Sequence, residues 1–92
     1  PKISSVKVKG NTVTVVLTKV DKAVGYDAVL GLTRNPVKPV TYAYVKKNQR
    51  STTIVFRNVK AGTYYIGSHA YTKEDGRKVF SKWSNQKRVT IE

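Results

Sequence analysis

The chain has 92 residues, no cysteine, no methionine and a net charge of +13, from 18 Lys and Arg against five Asp and Glu. This length holds one domain with a modest core, the lack of cysteine excludes disulfides and thiolate metal sites, and no apolar stretch is long enough to cross a bilayer. The charge favours contact with polyanions such as nucleic acid, anionic cell-wall polymers or sulfated glycans, although a generic solvated basic surface is the competing explanation because the cations are spread along the chain.

The first half of the chain has four segments with the β-branched composition and two-residue alternation of strands. They are residues 3–9, 12–18, 26–30 and 41–45. Gly10-Asn11 joins the first two as a hairpin, and Pro36 and Pro39 predict an irregular connection over 31–40, because proline donates no ladder hydrogen bond. The residues expected to face the core are Val13, Val15, Leu17, Tyr26, Ala28 and Leu30.

The second half predicts a polar, basic loop over 46–50, a strand over 51–57 with Ile54 and Phe56 inward, and a long strand from residue 64. A hairpin loop follows at 73–77, where Asp-Gly is a strong turn signal, and a last strand covers 79–91 with a break or bulge near Asn85-Gln86. No segment has a helical period. Seven strands at roughly ten-residue spacing predict a β-sandwich, with strands one, two and five in one sheet and three, four, six and seven in the other.

The long strand begins just after the turn at Ala61-Gly62 with two adjacent tyrosines. A tyrosine in this position is typical of a tyrosine corner, in which the ring packs in the core and the hydroxyl bonds to backbone a few residues upstream. Tyr64 has the same parity as Ile66, and this favours Tyr64 over Tyr65 as the corner residue.

Four segments in chain order form a recognisable set: VTVVLTKV at 13–20, AVGYDAV at 23–29, VKAGTYY at 59–65 and KVFSKWS at 78–84. Together they resemble a fibronectin type III domain, in the form common on secreted and surface proteins of Gram-positive bacteria. The resemblance implies a seven-stranded immunoglobulin-like sandwich, with a three-stranded sheet packed on a four-stranded one. It also implies an extracellular accessory domain, often found beside enzymatic or adhesive domains.

Three features depart from the family pattern. Leu17 stands where the family usually has Trp, so Trp83 or Phe56 is expected to help fill the core. Gly67 and His69 stand where outward arginines often stack on an aromatic residue of the last strand, so Trp83 is expected either to stack on His69 or to lie more exposed. The chain has no Arg-Gly-Asp tripeptide, so the integrin binding of some animal relatives does not carry over.

Catalytic and metal-binding residues are sparse. The chain has one His, and four of its five carboxylates, Asp21, Asp27, Glu74 and Asp75, are expected on loops or exposed strand faces. A nucleophile with a positioned base, or several converging metal ligands, is not evident from such a pattern. We therefore expect no enzyme activity, no cofactor and no metal, and we expect His69 to be an ordinary strand residue.

A ligand-binding face is the remaining candidate site. Exposed rings could stack on sugars beside basic side chains; the alternative is that the rings merely cover the sheet beneath Lys and Arg stems. The candidate residues are Tyr42, Tyr44, Lys46, Lys47, Arg50, Tyr65, His69, Tyr71 and Trp83. The residues expected to be structural are Leu17, Tyr26, Phe56, Tyr64 and Ile66.

Two functions follow as hypotheses. The favoured one is a non-catalytic spacer or interaction module of a larger secreted or cell-surface bacterial protein, because residues 1–92 lack an initiator Met and look like one domain cut from a longer chain. Its partners would be neighbouring domains of that chain, a protein ligand, a glycan or a cell-wall polymer; no nucleic-acid motif is present. The alternative is a binding module for glycans or anionic wall polymers, for which a contiguous exposed patch of Tyr or Trp beside Lys or Arg would be diagnostic.

Overall fold

The computed structural model describes residues 1–35 and 37–92, which form two β-sheets and no helix. The strands are β1 Ile3–Lys9, β2 Thr12–Leu17, β3 Gly25–Gly31, β4 Tyr42–Gln49, β5 Thr53–Phe56, β6 Gly62–Glu74, β7 Arg77–Phe80 and β8 Lys87–Ile91. One sheet has the order β1-β2-β5. The other has the order β4-β3-β6-β7, and β8 also pairs with β6. Within the described ranges, no helix has the length and apolar character to span a membrane.

The core lies between the inner faces of the two sheets and follows the alternation of the sequence. On β2, Val13 and Val15 are fully buried and stand opposite Phe56 and Ile54 of β5. The inward residues of β3 and β6 close the core from the other side. Burying each large aliphatic side chain contributes about 1.5–3 kcal/mol. The prediction of the inward residues is confirmed for Val13, Val15, Leu17, Tyr26, Ala28, Leu30, Ile54 and Phe56.

The last strand differs from the prediction, because β7 and β8 are two separate strands and the second sheet therefore has five strands instead of four. The linking residues 81–86 nevertheless stay attached to β6. The backbone amides of Ser81 and Ser84 donate to the carbonyls of Ala70 and Ser68, at 2.8 and 2.7 Å. The two serine hydroxyls in turn accept from the amides of Ala70 and Ser68, at 2.9 and 3.0 Å. Serine side chains thus replace the carbonyls that a continuous strand would offer.

Strand β4 is longer than predicted. Residues 46–50 were expected to form a loop, but the strand continues to Gln49, which pairs with Tyr26 of β3. The polar composition of this segment reflects its place as an edge strand, where lysines are frequent because they discourage pairing with another chain. Lys46 and Lys47 are exposed. The prediction that β4 lies at an edge is confirmed, whereas the prediction for Pro36 lies outside the described residues.

Tyrosine hydroxyls fasten the corners of the sandwich. The buried Tyr64 donates to the carbonyl of Lys60 at 2.7 Å, which is the bond expected of a tyrosine corner. The Tyr44 ring meets the Tyr64 ring edge-on at 5.8 Å, and its hydroxyl accepts from the Lys60 amide at 3.0 Å. Burial raises the pKa of Tyr64, and the neighbouring Tyr44 hydroxyl raises it further. At another corner, the Tyr26 hydroxyl accepts from the Val20 amide at 2.9 Å.

Candidate functional site

The outer face of the five-stranded sheet carries most of the aromatic side chains. Along β6 this face presents the side of the strand opposite to the buried Tyr64 and Ile66, so Tyr65, Gly67, His69 and Tyr71 point outward. Two of their four direct partners on β3 are glycines, since Gly31 faces Tyr65 and Gly25 faces Tyr71. The sheet therefore leaves room for loops and rings to pack on its outer surface.

Pro39 divides this outer face into two parts. Its side chain is buried against the sheet. A Cβ on Gly67 would lie 2.8 Å from Pro39 Cδ, and a Cβ on Gly31 would collide with Pro39 Cβ. Both glycines are therefore required by the close approach of proline to the strands. Each part contains one cleft. Basic residues line the cleft on the Tyr65 side of Pro39, and aromatic rings line the cleft on the His69 side.

The first cleft, here called the aromatic cleft, has a volume of about 220 Å³. The imidazole of His69 is the central member of the rings that line it. The centroid of this imidazole lies 4.2 Å from that of Trp83 and 4.6 Å from that of Phe80, and both pairs are stacked. Tyr42 extends the cluster, with its ring 6.3 Å from that of Trp83. The lining residues are Asp27, Val29, Tyr42, Val45, Lys47, His69, Phe80 and Trp83.

The imidazole at the centre of this cleft is held in place from below. His69 Nε2 lies 2.8 Å from Asp27 Oδ2, and these residues face each other directly across β3 and β6. The other carboxylate oxygen of Asp27 accepts from the Asn48 amide at 2.9 Å. The expectation that Asp27 is exposed was wrong: it is 7% exposed, because His69 and Asn48 satisfy its carboxylate beneath the rings.

A lysine of β7 closes the same network at the surface. Lys78 Nζ donates to the side-chain oxygen of Asn48 and also lies 4.4 Å above the Tyr71 ring. Such a cation–π contact is worth about 0.5–1 kcal/mol at an exposed position. Together with Lys47, this lysine places positive charge beside the aromatic cleft. No group of three or more His, Cys, Asp or Glu that could hold a metal ion occurs in 1–35 and 37–92.

The second cleft, here called the basic cleft, has a volume of about 240 Å³ and lies on the other side of Pro39. Tyr65 and Arg88 stand directly opposite each other on β6 and β8. Arg34 approaches from the connection after β3, and Gln86 from the segment before β8. Two guanidinium groups, a phenol and an amide thus surround one polar depression.

The structure brings together only part of the candidate ligand face. Tyr42, Lys47, His69 and Trp83 line the aromatic cleft, and Tyr65 lines the basic cleft. Tyr71 is buried over Gly25, while Tyr44 packs against the core and does not belong to the outer face. Lys46 and Arg50 are exposed but line neither cleft. Of the two alternatives for Trp83, the structure shows stacking on His69, and Phe56, not Trp83, fills the core.

Sequence reasoning missed several lining residues, namely Asp27, Val29, Arg34, Val45, Phe80 and Gln86. The contact between Asp27 and His69 joins residues 42 positions apart. The parity of each strand was readable, but cross-strand register was not. The one available signal of this contact was that Asp27 and His69 occupy outward positions on two strands that are neighbours in the sheet.

Comparison with protein-family models, with curated proteins and with solved structures finds no match for the chain. The two clefts therefore carry the functional argument.

Proposed function

We propose that the chain is a non-catalytic binding module of the fibronectin type III kind, from a longer secreted or surface-attached bacterial protein, and that its aromatic cleft binds a cell-surface or cell-wall glycan. Support for the fold assignment comes from the four resembling segments, from the division of β1, β2 and β5 from the other strands, and from the Tyr64 hydroxyl bond. An extracellular location follows from the same resemblance.

One observation carries the binding function: the rings of the aromatic cleft are contiguous, accessible and flanked by lysine. Tyr42 is 39% exposed and Phe80 is 50% exposed, and Lys47 lines the same cleft. In a passive spacer, the aromatic rings would instead be scattered over the surface or covered by other side chains. Large apolar groups grouped at the surface of a small domain instead favour a ligand that removes them from water.

A glycan fits this cleft because sugar rings present apolar C–H faces to aromatic side chains and hydroxyls to the surrounding polar groups. The cleft is also rigid before binding, since Asp27 fixes His69 and His69 supports both neighbouring rings. A site that is ordered in advance spends little conformational entropy on binding.

A spacer function is the second candidate, and the shape of the domain favours it. The domain measures 44 × 23 × 19 Å. At one end of the domain, Ile3 begins β1 beside Leu17. At the other end, beyond the last residue of β1, the carbonyl of Asn11 accepts from the amide of Val59, which lies just before β6. Since Ile91 pairs with Gly62 at the start of β6, the chain enters at one end and leaves at the other. Such a rod holds neighbouring domains apart whether or not it binds a glycan.

The first test is binding of the purified chain to cell-wall polysaccharides, neutral oligosaccharides and anionic polymers, at low and at physiological salt. The single tryptophan lies in the cleft, so its fluorescence reports occupancy of the unaltered chain and of Tyr42→Ala, whereas calorimetry measures binding to Trp83→Ala, which has no tryptophan. We expect saturable binding at physiological salt, weakened about tenfold or more by Trp83→Ala or Tyr42→Ala. Val8→Ala, which trims an exposed side chain on the other sheet, is the control. Binding confined to low salt, or insensitive to both ring variants, would leave only the spacer.

A further inference from the structure

The basic cleft is built by cross-strand pairing. Tyr65 and Arg88 are direct partners, and both point outward because Tyr64, Ile66 and Val89 are buried. Gly31 is the partner of Tyr65 on the opposite side, on β3. Arg34 follows Gly31 by three residues and returns to line the cleft. The two guanidinium groups therefore reach Tyr65 from opposite sides of β6.

A reciprocal pair of hydrogen bonds holds the two sides of this cleft together. The Asn35 amide donates to Gln86 Oε1 at 3.3 Å, and Gln86 Nε2 donates to the Asn35 carbonyl. Asn35 is the neighbour of Arg34, and Gln86 lies two residues before Arg88. This link joins the connection after β3 to the start of β8, so the two arginines are brought together before any ligand arrives.

No carboxylate of the described residues forms an ion pair with the positive charge of the cleft. Across 1–35 and 37–92, the one ion pair within 4.0 Å is that between His69 and Asp27, so neither Arg34 nor Arg88 has a carboxylate at that distance. Each guanidinium presents a planar fork of N–H donors that matches the oxygens of a carboxylate or a phosphate. Gln86 and the Tyr65 hydroxyl add further polar groups to the same depression.

We propose that the basic cleft is an oxyanion subsite, which takes one carboxylate or phosphate group between Arg34 and Arg88. Tyr65 and His69 are four residues apart on β6, so the centres of the two clefts are separated by about 13 Å along the sheet. An extended acidic glycan can therefore place its ring on Trp83 and its acidic group in the basic cleft. This joint occupancy rests on the proposed function, whereas oxyanion binding by the basic cleft does not.

The direct test uses inorganic phosphate and, separately, acetate, titrated at physiological ionic strength while the arginine Nε–Hε signals are followed by NMR. We expect saturable shifts of the Arg34 and Arg88 signals, and the stronger of the two ions identifies the kind of oxyanion. Arg34→Gln and Arg88→Gln should each weaken binding about tenfold. Arg57→Gln removes the same charge just after β5, on the other sheet, and is the matched control. Shifts that never saturate with either ion, or that Arg57→Gln reduces equally, would overturn the subsite.

A second measurement separates this inference from the proposed function. Oligogalacturonate and its neutral methyl ester are compared for binding to the unaltered chain, to Arg88→Gln and to Trp83→Ala. We expect the acid to bind about tenfold more tightly than the ester, a preference that Arg88→Gln removes. Trp83→Ala should leave the phosphate or acetate shifts unchanged. Loss of glycan binding in Trp83→Ala without any oxyanion binding would retain the aromatic cleft as the binding site and reject the subsite.

Discussion

The inner and outer faces of β6 are held by different kinds of contact. On the inner face, Tyr64, Ile66 and Ala70 are buried against the opposite sheet, where apolar side chains of similar kind interdigitate. On the outer face, His69 meets Asp27 from the neighbouring strand and rings from residues 80 and 83. The inner face gains stability from area removed from water, whereas the outer face gains order from a few specific partners. Substitutions on the inner face should therefore mainly lower the stability of the fold, whereas substitutions on the outer face should mainly disturb the arrangement of the side chains there.

The largest effect is expected for Ile66→Ala on the inner face. Ile66 is fully buried, and removing its side chain should lower the free energy of unfolding by about 2–5 kcal/mol, through lost burial and a residual cavity. Urea denaturation measures this change. Tyr65→Ala, on the adjacent outward position, should cost less than half as much. Equal losses at the two positions would contradict the difference between the faces.

A smaller loss is expected for Gly67→Ala, which tests the contact that separates the clefts. The new Cβ would lie 2.8 Å from Pro39 Cδ and 2.9 Å from Pro39 Cγ, and such overpacking costs about 1–3 kcal/mol. Alanine lacks both of these proline atoms, so the double variant Gly67→Ala, Pro39→Ala should lose less stability than the sum of the losses of the two single variants in a double-mutant cycle. Purely additive losses in thermal denaturation would place the cause elsewhere.

Asp27→Ala tests the anchor beneath the aromatic cleft. It leaves the Asn48 amide and the His69 ring without their partner, which should cost about 1–3 kcal/mol in unfolding free energy. It should also change the fluorescence of Trp83, because the stacked imidazole is no longer fixed. Asp27→Asn retains an acceptor for the Asn48 amide and should lose less. An unchanged Trp83 signal in both variants would show that His69 is held without Asp27.

The smallest effect is a dependence on alkaline pH. The pKa of Tyr64 is raised above 10.0 in the folded protein by burial first and by Tyr44 second. The folded state therefore keeps this proton to higher pH than the unfolded chain. The stabilisation is complete below pH 10.0 and is lost as the pH rises through the folded pKa. Tyr64→Phe removes the hydrogen bond to the Lys60 carbonyl and should lower the free energy of unfolding by about 1 kcal/mol at neutral pH. Between pH 10 and 12, however, the stability of this variant should fall less than that of the unaltered chain. Parallel stability curves would contradict this assignment.

The inner face was predictable from sequence because period-two alternation directly encodes which residues are buried. The turn before Tyr64 and its parity with Ile66 likewise predicted its corner role, and the division of the strands between the two sheets came from the sandwich topology that seven short strands indicate. The outer face was less predictable because its contacts depend on register and on loop placement. Nothing local in Lys46 to Gln49 distinguishes an exposed edge strand from a loop, and nothing near Asp27 indicates the partner 42 residues away. Between β7 and β8, serine hydroxyls take the place of backbone carbonyls as acceptors, and the strand propensities of the residues do not predict this.

The lysines of the edge strand β4 have a consequence for chains that contain several such domains. Cations also occupy three other edge strands, with Lys7 and Lys9 on β1, Arg77 and Lys78 on β7, and Lys87 and Arg88 on β8; the edge strand β5 has none. Tandem copies hold each other at high local concentration, where an open strand edge can misfold by exchanging with the neighbouring repeat. Like charges on these edges repel one another, so the excess of basic residues also protects such an array from misfolding between its repeats.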